Sequence, residues 1–221
     1  MKKDYFNFIE LLIVLAIIGI LISLIFPSLK KSRIISYRSI CQSNLRQAGV
    51  AHVLYAYAHD KHFPVLNKGS AYRHMMGRSG DGMSFEDRPL NQFIDTRKFS
   101  ECPADKGHPF QELDNVFKNW GSSYTAPSIK NLYAIGYLGH PNKPRTMDFY
   151  EYKDKKIIMG DHPYWANRKW TDPRSQWHWT GEQRRTNLLF LDMHVDFFTF
   201  PREYNSFPQD EPLDPDRWGF Y

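Results

Sequence analysis

Between Leu11 and Phe26 the chain carries no charged residue. At about 1.5 Å per residue this run alone falls short of a ~30 Å hydrocarbon core, and Phe6 to Ile9 bring it close to spanning length. After the run, Phe26-Pro27-Ser28-Leu29-Lys30-Lys31 lacks a small-x-small cleavage site, so a retained anchor fits better than a secretory signal peptide. Other absences narrow the chemistry. There is no Gly-x-Ser-x-Gly elbow, no HExxH or CxxC spacing and no acidic loop suited to calcium. Internal repeats and low-complexity segments are missing too. Cysteine is scarce, with only Cys41 and Cys102.

What is present begins with Glu10, a carboxylate in the first turn of the apolar segment. A charge inside such a segment costs roughly 2.5–3.5 kcal/mol on insertion scales, so a chain that keeps one there uses it. Snorkelling to the interface is the plainer alternative. Net charge is +5, but Lys2, Lys3, Lys30, Lys31, Arg33 and Arg38 stand against only Asp4 and Glu10 in residues 1–38. The remainder is therefore nearly neutral, which excludes a strongly basic nucleic-acid surface there. The cluster from Lys30 to Arg38 suits anionic lipid head groups.

The spacing predicts that helix continues past Pro27. Leu45, Ala48, Gly49, Val53, Ala56 and Tyr57 recur at offsets of three and four, marking one face of an amphipathic helix that ends near Asp60. A proline removes one backbone donor, so a bend at Pro27 is expected and a break is not. Gly69, Gly77, Gly80 and Gly82 make residues 67–88 read as a loop with scope for movement. Strand patterns follow at Ser123–Thr125, Ala134–Leu138, Lys156–Gly160, Asn187–Leu191 and His194–Phe200. The last two form a hairpin across Asp192-Met193. The proline-rich tail from Pro201 to Tyr221 reads as an ordered coil.

Phe6-Asn7-Phe8-Ile9-Glu10-Leu11-Leu12, with Pro27 seventeen residues after Glu10, resembles the N-terminal cleavage and methylation motif of type IV prepilins and type II secretion pseudopilins. Tyr5 stands where the leader of that family ends in Gly, and Asn7 where it has Thr or Ser. The resemblance extends along the chain. Cys41-Gln42-Ser43-Asn44-Leu45-Arg46-Gln47-Ala48-Gly49 is similar to the Cys-x-x-Asn-Leu-Lys-Gln-x-Gly of one bacterial pseudopilin-like branch, and Tyr57 and Phe63-Pro64 continue it. Cys102-Pro103-Ala104-Asp105 and Ser123-Tyr124 resemble its Cys-Pro-x-Asp and Ser-Tyr. Asn187-Leu188-Leu189-Phe190-Leu191-Asp192-Met193-His194-Val195 resembles its closing Asn-Val-Leu-Phe-x-Asp-Gly-His-Val. That branch has Gly where Met193 stands, and its upstream His falls at Glu182, with His178 displaced by four residues. Glycine serves a tight hairpin that needs positive φ, so Met193 leads us to expect a different turn.

The resemblance implies an α+β, pilin-like fold: a leader over 1–5, a transmembrane helix over 6–27, an amphipathic helix over 28–60 and an exported head over 61–221. The long helix packs by its second half on a small antiparallel sheet with long loops. It also implies an inner-membrane, single-pass location with a cytoplasmic N-terminus and a periplasmic or extracellular head. Partners would be the membrane, other pilin-like subunits and a prepilin peptidase cutting between Tyr5 and Phe6. Glu10 would pair with the new amine at Phe6, since each charge is costly in lipid alone. An intact Tyr5–Phe6 bond leaves a second outcome, a membrane-tethered module binding polysaccharide, secreted cargo or another protein, with no filament.

In an exported head Cys41 and Cys102 suggest a disulfide closing a loop of about sixty residues, and two buried thiols are the alternative. Asp161, His162, His178, Asp192 and His194 offer imidazole and carboxylate to a transition metal. Without a recognised ligand spacing they are expected to be hairpin-turn and surface residues, holding no metal and no cofactor. Asp105, Asp161 and Asp192 give no reason to expect a catalytic carboxylate pair, so no enzyme activity is expected. Aromatic residues are abundant. Trp177 and Trp179 are the candidates for stacking on sugars or partners, against the plainer role of core packing.

Overall fold

The structure, a computed structural model, describes residues 8–64, 74–80, 82–108, 112–126, 139–140, 143–144, 146–149, 152–162, 172–178 and 185–199. The expected strand at Ala134–Leu138, the tail from Pro201, Tyr5, Phe6 and Trp179 lie outside the described residues.

The layout is α+β. Helix α1 runs from Phe8 to Ala58 with Pro27 inside it and Glu10 in its first turn. A helix passes through proline at the loss of one donor, and the expected continuation is found. The chain divides into two compact units, residues 1–36 and 37–221, with the boundary inside α1.

In the first unit the helix exposes apolar side chains all round, including Leu15, Ile18, Leu21 and Ile25. Its length and composition suffice to cross a membrane.

In the second unit the end of α1 is a wall of the core. Cys41, Asn44, Leu45, Ala48, Gly49, Ala51, His52 and Ala56 are buried, at the offsets of one helical face. Tyr57 was expected on that face, yet it is 85% exposed. Ala51 and His52 turn inward instead. The helix ends as Lys61 donates its backbone N–H to the Ala56 carbonyl, with Asp60 and Lys61 at positive φ.

Opposite this face lies an antiparallel sheet of β1 (Tyr124–Thr125), β4 (Ile157–Asp161), β5 (Arg185–Phe190) and β6 (Val195–Thr199), in that spatial order. A separate two-stranded ribbon joins β2 (Gly139–His140) and β3 (Lys143–Pro144). The expected β5–β6 hairpin is present, with Leu189 opposite Val195. β5 buries every residue but Arg185, so the sheet sends apolar groups to α1. Gly49 permits the close approach: a Cβ there would stand 3.3 Å from both Leu189 Cδ1 and Met193 Sδ. The turn itself corrects the expectation at Met193. Its φ is 71°, so methionine adopts the left-handed conformation that glycine usually serves, with its sulfur packed toward Gly49.

The described part of the 67–88 loop is also tighter than expected. Met75 and Met76 are buried in the core, and Arg88 is fully buried beneath them. Its guanidinium donates to the carbonyls of His74, Met76, Gly80 and Trp120, holding irregular chain where secondary structure supplies no partners.

Candidate functional site

Four side chains from separate stretches of sequence meet between α1 and the sheet: Cys41, Cys102, Asp161 and His178. Cys41 comes from the buried face of α1. Cys102 sits in the Cys-Pro turn, where its amide donates to Ser123 Oγ at 3.0 Å. Asp105 fixes that turn. Its carboxylate accepts from the amides of Gly107, Val116 and Phe117 and from the Ser123 hydroxyl, tying the turn to α2 (Val116–Trp120) and to the approach to β1. Gly107, at φ 93°, has the Leu113 carbonyl where a Cβ would be, so only glycine fits there.

Asp161 ends β4, directly opposite Tyr124 of β1. Its Oδ2 accepts from the backbone and side-chain nitrogens of Asn187, each at 2.9 Å, and from the Thr186 hydroxyl at 3.3 Å. His178 follows a 3-10 turn over Pro173–Ser175. Its segment is pinned to the Cys-Pro turn, because Trp177 Nε1 donates to the Gly107 carbonyl and Lys106 Nζ to that of Gln176.

The four side chains are close and dry. Their ligand atoms all lie within 4.8 Å of one another. Cys102 Sγ is 3.2 Å from His178 Nε2, which is 3.5 Å from Asp161 Oδ2. None of the four residues is more than 3% exposed. Both cysteines are free thiols. The two cysteines expected to pair are therefore neighbours, and an acid and an imidazole share their pocket.

The charges interact strongly. Burial alone would lower the His178 pKa, but the Asp161 carboxylate and Cys41 outweigh it and raise it to about 9. Burial pushes the Cys41 thiol up, yet hydrogen bonds from Cys102 and His178 prevail and hold it at about 7. Cys102 is driven well above its ordinary value by burial and by the neighbouring Cys41. The Cys41 thiol thus gives up its proton more readily than an ordinary cysteine, and the imidazole beside it holds its own more firmly.

Comparison with protein-family models, curated proteins and solved structures finds no match. The site has to be read from its own geometry.

The remaining candidates divide cleanly. Asp161, His162 and His178 were expected on turns and the surface, but all three are buried. They lie where the edge of β1–β4 meets the core, and a strand end does not by itself reveal its depth. Asp192 and His194 are not part of the cluster. They form an exposed pair in the β5–β6 turn, Oδ1 to Nδ1 at 2.5 Å, with the His194 ring stacked on Phe190. Trp177 is a core residue, its indole N–H satisfied by the carbonyls of Gly107 and Arg174, so it offers no stacking surface.

Reasoning from sequence missed a second buried group. His74, His108 and His162 surround Trp120, with His162 stacked on His74 at 5.5 Å and edge-on to His108 at 4.8 Å. Burial lowers all three, His74 to about 3 and His108 to about 4, so they pack as neutral rings. Beside the end of α1 an open groove of about 690 Å³ is lined by Val53, Tyr57, Met147, Leu191 and Met193, with Lys61, Asp148 and Lys153 along it.

Proposed function

We propose that the protein is a pilin-like subunit, anchored by the first half of α1 in the inner membrane and assembling through that helix into a pseudopilus or pilus-like filament. The observation that carries this reading is a membrane-length apolar helix bearing one carboxylate, Glu10, in its first turn and running without interruption into an α+β head. A carboxylate carried into lipid is costly and is stabilised there by a cation, which a neighbouring subunit's free amine at Phe6 would supply. The motif spacing around Glu10 and Pro27 supports the same assignment. In this role the head is exported and performs no catalysis.

The test is mass spectrometry of the N-terminus of membrane-extracted protein. A chain beginning at Phe6, with a methylated amine, is the expected result. A chain beginning at Met1 would replace this reading with the second one, a membrane-tethered binding module. The groove beside the exposed Tyr57 favours that alternative, since it offers an apolar floor with charged groups at its margin.

A further inference from the structure

We infer that Cys41, Cys102, Asp161 and His178 form a closed structural zinc site that clamps the head-embedded part of α1 to the Cys-Pro turn and the end of β4.

The donor set is the first argument. Two thiols, an imidazole nitrogen and a carboxylate oxygen make a complete tetrahedral shell for Zn²⁺, which accepts all three ligand types. Distances agree. With zinc bonds of about 2.0–2.3 Å, the edges of such a tetrahedron are about 3.3–3.8 Å. The 3.2 Å edge between Cys102 Sγ and His178 Nε2 is close to that range, the Asp161 carboxylate comes within 3.5 Å of the same nitrogen, and the four ligand atoms all lie within 4.8 Å of one another.

Orientation is the second argument. Asp161 is held by Asn187 and Thr186 through Oδ2, while its Oδ1 is buried with no hydrogen-bond partner among the described residues. A buried carboxylate oxygen left unmet is costly, and a cation satisfies it. Asn187 thus acts as the outer support that metal-binding carboxylates have. Cys102 is fixed from behind by Ser123, and Asn44, one turn along α1 from Cys41, holds the Tyr124 hydroxyl at 3.0 Å.

Burial decides the type of site. The same groups could be arranged as a Cys–His–Asp nucleophile, but residues at most 3% exposed admit no substrate. Zinc sites closed on all sides by protein ligands are structural. On binding, Zn²⁺ takes the place of the protons on the two thiols and on the imidazole, which leave to solvent. A bound metal also prevents oxidation of the thiol pair, the alternative fate for these cysteines in an exported head.

The experiment uses the full chain extracted in detergent. Elemental analysis should find stoichiometric zinc, and Co²⁺ exchanged into the protein should show a thiolate-to-cobalt charge-transfer band and the intense visible bands of tetrahedral coordination. Cys41→Ser and Asp161→Asn should weaken or abolish these signals, and a strong chelator should lower the melting temperature of the wild-type chain. Asp192→Asn with His194→Ala should leave zinc content unchanged. Because variants of buried ligands can fail to fold, the cobalt spectrum of the wild-type chain stands on its own. A Cys41–Cys102 disulfide found in freshly extracted protein, or metal-free thiols giving no cobalt bands, would overturn the site. Neither result bears on the N-terminus, so the filament reading is tested separately.

Discussion

Ser123 gives its hydroxyl hydrogen to Asp105 at 2.8 Å and, through the same oxygen, accepts the amide of Cys102 at 3.0 Å. Two motifs separated in sequence are therefore one hydrogen-bonded unit, and Asp105 is its hub. Asp105→Ala leaves the amides of Gly107, Val116 and Phe117 without their carboxylate acceptor. Each orphaned donor costs about 1–3 kcal/mol where water cannot reach it. These bonds are part-buried, so water replaces some of the lost acceptor, and we expect a loss of roughly 2–4 kcal/mol in urea unfolding, less for Asp105→Asn.

Arg88 is the second hub. Replacing it with Met keeps much of its volume but strips four carbonyls of a donor. The expected loss is about 3 kcal/mol or more, read as a lower urea midpoint at unchanged slope. Arg88→Lys should recover little, since a single ammonium cannot reach the carbonyls that the planar fork spans.

Acid should weaken the head before its carboxylates titrate. Burial lowers His52 to about 4 in the folded chain, against 6.5 for an ordinary histidine. Between those values the unfolded chain holds a proton that the folded chain does not, so the contribution of His52 to stability is complete above pH 6.5 and falls as pH drops toward 4. From His52 alone, stability at pH 5 should be about 2 kcal/mol below that at pH 7. Urea midpoints at the two values check this. His52→Leu should flatten the slope by that share, leaving the contributions of His74, His108 and His162, and that of His178 in the opposite sense.

Gly49 sets how near α1 comes to the β5–β6 hairpin. Gly49→Leu drives its side chain into Leu189 and Met193, already 3.3 Å from a Cβ at that position. Overpacking costs about 1–3 kcal/mol, of which better helix propensity returns at most about 1. A net loss of thermal stability is expected, whereas Gly49→Ala should change it little.

Under the filament reading, Glu10→Leu should leave the protein in the membrane fraction and remove it from sheared filaments. Loss of membrane insertion instead would mean that the carboxylate serves the anchor itself.

The sheet was legible because its strands alternate or run apolar for four to six residues, the pattern that side-chain geometry imposes. The long helix was legible for the same reason. Tyr57 was misplaced because offsets of three and four from Val53 cannot tell the core stripe from its neighbour when small residues such as Ala51 are also available. The four-residue cluster was beyond sequence reasoning. Its members lie far apart along the chain, His178 follows an irregular turn, and no ligand spacing announces a site assembled only by packing. Met193 misled for a physical reason as well. Glycine is the usual residue at positive φ, but a strain of about 1–2 kcal/mol is affordable where the side chain gains a packed position.

The unit boundary at Ser36–Tyr37 has a practical consequence for handling the head in isolation. Severing the chain just before Tyr37 keeps Cys41, Leu45, Ala48 and His52 with the sheet they cover. Severing it at the end of α1 instead strips one wall from the interior and removes one of the two thiols. A protease site introduced between Ser28 and Ser36 should therefore release a folded, water-soluble fragment, while the same site at Asp60 should yield material that aggregates.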